Sequence, residues 1–316
     1  MSKEQHITSI GGQAVMEGVM MRGPFKTTVA VRKPDGEIEK KIDENGVKTR
    51  GRFFKLPIVR GCVNFIDSLV IGMKALMYSA EFVDLEGEEE ESKFDKWLED
   101  KLGDKIKDVV IYAAVAISIV LSVGLFMVLP TFLTRIVEAI PFFESITGTQ
   151  TFTSVFEGIV RMLIFLGYMA LVSQMKDIKR VFEYHGAEHK TIACYEAGEE
   201  LTVENVKKHS RFHPRCGTSF LLFVMIISII VYAFLPKTGI ILRVLMRLAL
   251  LPVVAGLSYE VIKWAGRSKN RCVTFLSKPG LWLQKLTTRE PDESQIEVAI
   301  AAMQPCIPED KEEDKW

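Results

Sequence analysis

The chain has 316 residues, 48% hydrophobic and 25% charged, and its Lys+Arg and Asp+Glu counts are equal at 40 each. That balance argues against a nucleic-acid partner and leaves no net field to steer a charged one. Five dispersed cysteines (Cys62, Cys194, Cys216, Cys272, Cys306), with no Cys-x-x-Cys pair, argue against a disulfide framework and fit a reducing compartment.

The apolar residues are unevenly spread. Residues 1–107 and 263–316 are ordinary polar sequence, whereas 108–262 holds long apolar runs. The expected architecture is mainly α: a four-span transmembrane helical bundle with amphipathic interfacial helices and a small cytoplasmic β-hairpin. No short apolar core followed by a small-residue cleavage site opens the chain, so no removable signal peptide is expected. In chain order, 11–24 carries four glycines and Glu17 among methionines. Such spacing lets backbone pass close to another surface, here the histidine-bearing loop, or makes a flexible entry loop. Thr27 to Lys33 and Glu37 to Ile42, joined by Pro34-Asp35-Gly36, read as the β-hairpin.

Residues 57–83 are apolar but carry Arg60, Asn64, Asp67 and Lys74, which are costly in lipid, so this stretch reads as an amphipathic helix on the membrane surface. An acidic run at 86–91 reads as a linker, and Phe94, Trp97, Leu98, Leu102 and Ile106 as a second amphipathic stripe. Four spans are expected at about 108–129, 154–175, 217–235 and 239–259. The connection between the second and third holds eight Lys/Arg; the other two hold Arg135 and Lys237. By the positive-inside bias, that loop and both termini face the cytoplasm of a multi-pass cell-membrane protein.

Inside the spans, Glu157 and Arg161 stand one turn apart, as do Arg243 and Arg247, all at similar depth in the outer half. The surplus of positive charge would hold a lipid phosphate or a carboxylate, or else the arginines snorkel to the interface. Beyond the membrane, a basic segment at 263–271 reads as a topology determinant, and Leu281, Trp282, Leu283 and Leu286 as a short interfacial helix. Thr288 is expected to cap a last helix with Glu293 to Met303 as its body, before a disordered charged tail at 309–316.

Four of the five histidines fall in 183–216, at His185, His189, His209 and His213. From Ile178 the apolar positions Ile178, Val181, Phe182, Ile192 and Ala193 recur at helical spacing, with His185 and His189 on the same stripe, so both rings face inward. Two imidazoles at i and i+4 have the spread that one zinc or similar divalent ion needs. His185-x-x-Glu188-His189 matches the inverted zincin string, in which the glutamate is the general base. The bland reading is a pair of core histidines with local hydrogen bonds. For the remaining ligands the sequence offers His209, His213 and Cys216, with Pro214 turning the chain between the last two, and Glu260 as the carboxylate alternative.

The strings at 11–24, 183–190, 213–220 and 287–291 resemble those of the YqhQ-like bacterial membrane proteins, a family grouped under a domain of unknown function. The resemblance runs over nearly the full chain and implies a cytoplasmic-membrane protein classed as a metal-dependent enzyme. The inverted zincin resemblance covers only His185, Glu188 and His189; a neighbouring bilayer and the lack of a matching downstream glutamate set this chain apart from those soluble peptidases. The expectation is a metal-dependent hydrolase at the inner membrane face, acting on a lipid or membrane-protein substrate. The alternative is a non-catalytic scaffold or assembly factor with a structural zinc. A metal-ion transporter ranks third, because no span carries a chain of Asp, Glu and His.

Overall fold

The computed structural model describes residues 6–45, 51–82, 106–140, 150–236, 238–267 and 271–315. Two compact units emerge: one from residues 1–83, 168–227 and 251–316, the other from 84–167 and 228–250. The expected linker at 86–91 and the stripe from Phe94 to Leu102 lie outside the described residues.

In the first unit, β1 (Gly11–Val15), β2 (Gly18–Arg22), β3 (Lys26–Arg32) and β4 (Ile38–Glu44) form an antiparallel meander in that order. The β3–β4 hairpin is the expected one, with Asp35 Oδ1 accepting from the Glu37 amide at 2.9 Å in its turn. The glycine-rich stretch before it is a second hairpin rather than a loop. Its two-residue turn puts Glu17 at φ 49°, a left-handed conformation unusual for a residue with a side chain. Arg180 anchors the Glu17 carboxylate at 2.6 Å and Tyr184 reaches it at 3.3 Å, which offsets that strain.

Alternation along the strands serves two cores. Val19, Met21 and Ala30 face α5 (Lys176–Glu196) and α10 (Glu293–Met303), where Tyr184, Ala187, Ile192, Ile296, Ala299 and Met303 pack. Val15, Met20, Val29 and Val31 face the other way, against Ile71, Ala75, Tyr78 and Phe82 of α1 (Val59–Ala80) and the turn after it. The sheet is thus covered on both sides by helices, the arrangement that makes a strand read as a continuous apolar run.

Four helices are long and apolar enough to cross a membrane: Val59–Ala80, Ala113–Glu138, Thr151–Val172 and Ile240–Trp264. Three match expected spans. The fourth expected span is α7 (Gly217–Tyr232), whose apolar part, Phe220–Tyr232, is shorter. The helix that takes its place on length and composition is α1, read from sequence as interfacial; Glu260 and Tyr259 take up its Arg60 and Asn64.

In the second unit, α2 (Ile106–Val123) continues through a π-helical turn, Gly124–Val128, into α3 (Leu129–Glu138). It is joined by α4 (Gln150–Val172) and by the adjoining parts of α7 and α8 (Ile240–Arg267). Snorkelling of its arginines does not occur: Arg161, Arg243 and Arg247 are each buried to 9% exposure or less, around a fully buried Glu157.

After α6 (Val203–Lys208) and α9 (Arg271–Thr287), the C-terminal elements depart from expectation twice. The cap of α10 is Asp292, whose carboxylate accepts from the Gln295 amide at 2.8 Å while Gln295 Oε1 accepts from the Asp292 amide at 2.9 Å. Thr288 instead donates to the Gln284 carbonyl at 2.7 Å. The charged tail is ordered through Lys315. Asp314 is fully buried, 2.7 Å from His6 Nε2 and bonded to Thr8.

Candidate metal centre

The site grows out of α5. Its inward stripe carries His185 and His189 one turn apart, with ring centroids 4.4 Å apart and nearly edge to face. Cys216, immediately before the first residue of α7, brings Sγ to 3.2 Å from His185 Nε2. Each imidazole turns its other nitrogen to a main-chain carbonyl: His185 Nδ1 lies 2.8 Å from the Thr287 oxygen and His189 Nδ1 2.6 Å from that of Arg211. A carbonyl can only accept, so in both rings Nδ1 carries the proton and Nε2 presents its lone pair. Such outer carbonyls fix the orientation and tautomer of metal-ligating histidines.

The ligand atoms of His185, His189 and Cys216 lie within 4.8 Å of one another. Donors around a tetrahedral zinc stand about 3.3–3.8 Å apart, so these residues fit such an ion with small side-chain adjustments. The donor set, two imidazoles and a thiol, suits a borderline-soft divalent metal. Burial, with His185 as the next contribution, depresses the His189 pKa and holds it in the neutral form that ligates.

Close backbone approach makes this geometry available. A Cβ at Gly186 would stand 2.0 Å from the Arg289 carbonyl oxygen, so only glycine there lets the segment after α9 cross α5 and bring Thr287 to His185. The Arg289 amide donates to the Phe182 carbonyl at 2.8 Å across the same contact. On the other flank Gly12 of β1 backs Glu188: a Cβ would meet the Met20 carbonyl at 2.6 Å and the Glu188 carboxyl carbon at 3.0 Å. The expectation that the glycine-rich stretch lies against the histidine-bearing segment is met here.

Glu188 is 4% exposed, and its Oε2 has no hydrogen-bond partner among the described residues. Burial pushes its carboxyl pKa up, opposed by His185 and by the Gly12 amide. A buried carboxylate normally has both oxygens bonded, so an unpartnered one beside three convergent donors stands out chemically.

The other candidate ligands are engaged elsewhere. His213 packs its ring 5.6 Å from that of His189, yet its Nε2 faces Glu196 Oε2 at 3.6 Å and Arg215 Nη2 at 3.3 Å. Burial works against ionisation of Glu196, but the His213 hydrogen bond and the Arg215 charge win and hold its pKa below the usual range. Gln284 clamps the His213 backbone, accepting from its amide at 2.9 Å and donating to its carbonyl at 2.7 Å. The turn at Pro214 therefore separates His213 from Cys216. His209 joins Cys194 and Glu199 in a second, more exposed group, and Glu260 forms an ion pair with Arg60. Sequence reasoning missed the carbonyls of Thr287 and Arg211, because a backbone group carries no residue signature. The glycines at 11–12 were the one legible trace of the β1 contact.

No solved structure matches this chain. It is 38% identical over 303 residues to Uncharacterized protein YqhQ of Bacillus subtilis (strain 168), covering 95% of the chain and 92% of that relative. A family model described as Protein of unknown function (DUF1385) matches residues 56–309. With that match and the near full-length relative agreeing with the resemblance in its motif strings, the chain belongs to the DUF1385 family of proteins of unknown function.

Proposed function

We propose that this protein is a metal-dependent hydrolase of the cell membrane, with His185, His189 and Cys216 holding one zinc-type ion and Glu188 as general base. The observation that carries the reading is the convergence of two oriented imidazoles and a thiol beside a buried carboxylate with a free oxygen. Three protein donors leave a tetrahedral ion one open position, the feature that separates catalytic from structural zinc sites. The ion would supply Lewis-acid activation of water. Glu188 would take a proton from the attacking water at Oε2 and pass it to the leaving group, with the Gly12 amide steadying the carboxylate when ionised. The burial of Glu188 limits competing solvent, and the Thr287 and Arg211 carbonyls keep both Nε2 atoms aimed at one point.

The site is proposed to face the cytoplasm, with both termini on that side. The support is the concentration of Lys and Arg between α4 and α7. In this arrangement α1 lies in the interface. Ile71, Ala75 and Tyr78 cover the sheet, and the exposed stripe Ile66, Leu69, Val70, Met73 and Met77 meets lipid. A site beside such a surface suits a lipid or membrane-protein substrate.

The test is metal content combined with complementation. Protein purified without chelator should hold about one zinc-type ion per chain, and Glu188→Gln should keep that ion and normal abundance while failing to complement a deletion strain. Full complementation by Glu188→Gln would remove the catalytic role. It would favour a scaffold whose fourth donor is His213, the nearest histidine outside the trio.

A further inference from the structure

Within the second unit, Arg161, Arg243 and Arg247 converge on one carboxylate. Glu157 Oε2 lies 2.7 Å from Arg247 Nη2 and 3.3 Å from Arg243 Nη1, and Arg247 Nη1 also bonds Oε1. Thr131 donates to the same Oε1 and lies 3.0 Å from Arg247 Nη1. Arg161 is held differently. Its Nε donates to the Phe126 carbonyl at 2.8 Å, four residues before Pro130, which has no N–H to donate one turn back. The π-helical turn Gly124–Val128 is where this carbonyl is presented.

Guanidinium does not deprotonate in proteins, so three full positive charges face the single carboxylate that ion-pairs with them among the described residues. The Tyr232 ring takes up part of the excess, 5.5 Å from the Arg161 guanidinium carbon and 5.3 Å from that of Arg247. Two polar atoms nonetheless remain buried without a hydrogen-bond partner among the described residues: Arg161 Nη2, 3.7 Å from Glu157 Oε1, and Arg247 Nε. Both belong to residues no more than 9% exposed in helices long and apolar enough to cross a membrane. Uncompensated charge at such a place is costly, and ionisable groups kept there mark a binding function.

We propose that Arg161, Arg243 and Arg247 form an anion site between these helices that takes a phosphate group. Two surplus positive charges and an unused N–H donor on each of two guanidiniums match phosphate, which arginine binds through charge-assisted hydrogen bonds. Glu157 fixes the guanidiniums in place and sets the surplus, so it is a positioning residue. Counted from the span starts at Thr151 and Ile240, Glu157 and Arg247 lie about 10 Å along their helices. A headgroup phosphate drawn inward reaches that depth, and so does a small anion moving between the helices.

The full-length protein, purified in phosphorus-free dodecyl maltoside, is first assayed for retained phosphorus. It is then titrated in parallel with phosphatidylglycerol and with inorganic phosphate, reading bound species by native mass spectrometry and the thermal midpoint. The expected result is one saturable phosphate per chain. Saturation by phosphatidylglycerol alone identifies a lipid headgroup, and saturation by inorganic phosphate identifies a free anion. Arg243, whose only ion pair among the described residues is the 3.3 Å contact with Glu157, is the position to change: Arg243→Gln should weaken binding about tenfold or more. Arg161→Lys keeps the charge but loses the fork and should weaken it less. Absence of saturable binding in both titrations of the wild-type chain overturns the proposal whatever the variants do. Equal affinity of a folded Arg243→Gln and wild type also overturns it.

Discussion

His189 and His213 illustrate how two histidines with touching rings acquire different chemistry. The His189 Nδ1 proton is claimed by the Arg211 carbonyl, which frees Nε2 for the Cys216 side, whereas His213 turns Nε2 to a carboxylate already paired with Arg215. Loss of metal should follow the first arrangement and not the second. We expect His189→Ala and Cys216→Ser to lower bound zinc from about one per chain to background, since two donors hold zinc weakly, while His213→Ala leaves stoichiometry unchanged. Elemental analysis of the three variants at matched purity checks this, and loss of metal in His213→Ala would enlarge the ligand set. The outer carbonyls are reached only through the backbone, so Gly186 is their handle. Gly186→Ala sets a Cβ against the Arg289 carbonyl and should cost about 1–3 kcal/mol of stability, with metal affinity falling alongside it. A thermal midpoint equal to wild type would show that the crossing segment yields freely.

At the scale of elements, legibility followed the exposure of each face. Helix α5 was readable because Ile178, Val181, Phe182, Ile192 and Ala193 mark one face, and the inward position of His185 and His189 came with it. Strand β2 was not, because Val19 and Met21 enter one core while Met20 enters the other, leaving no polar alternation to see. The β1–β2 turn was hidden for a different reason: Met16-Glu17 is no turn signature, and its left-handed Glu17 is held by Arg180, a residue distant in sequence. Thr288 and Asp292 both satisfy the sequence rule for a helix cap, and only tertiary contacts decide that the Thr288 hydroxyl goes to Gln284. Helix α1 remains the element whose length and packing point in different directions. Single reporter cysteines at Ile66, Val70, Met73 and Met77, carrying a fluorophore quenched by depth-graded spin-labelled lipids, resolve it. An interfacial α1 gives four equal shallow depths, whereas a crossing helix spreads them over about 16 Å.

For the whole molecule, burial links ends that sequence separates. Thr8 bridges to Lys315, its amide reaches Glu196 at 2.8 Å, and Asp314 holds His6, so the first described residues and the last are tied to the C-terminal end of α5. Wherever the candidate metal centre faces, both ends of the described chain must face with it. That makes topology a single question with one decisive measurement. Eight Lys/Arg in the connection between α4 and α7, against one between α7 and α8 and none between α3 and α4, set the expected answer, because basic loops stay on the side of synthesis. In a background with the native cysteines replaced, a cysteine introduced within 140–150 should react with a membrane-impermeant maleimide on intact cells. One within 200–206 should react only after permeabilisation. The reverse pattern would put His185, His189 and Cys216 on the outer face, where an oxidising environment would expose Cys216 to disulfide chemistry and the hydrolase reading would have to be abandoned in that form.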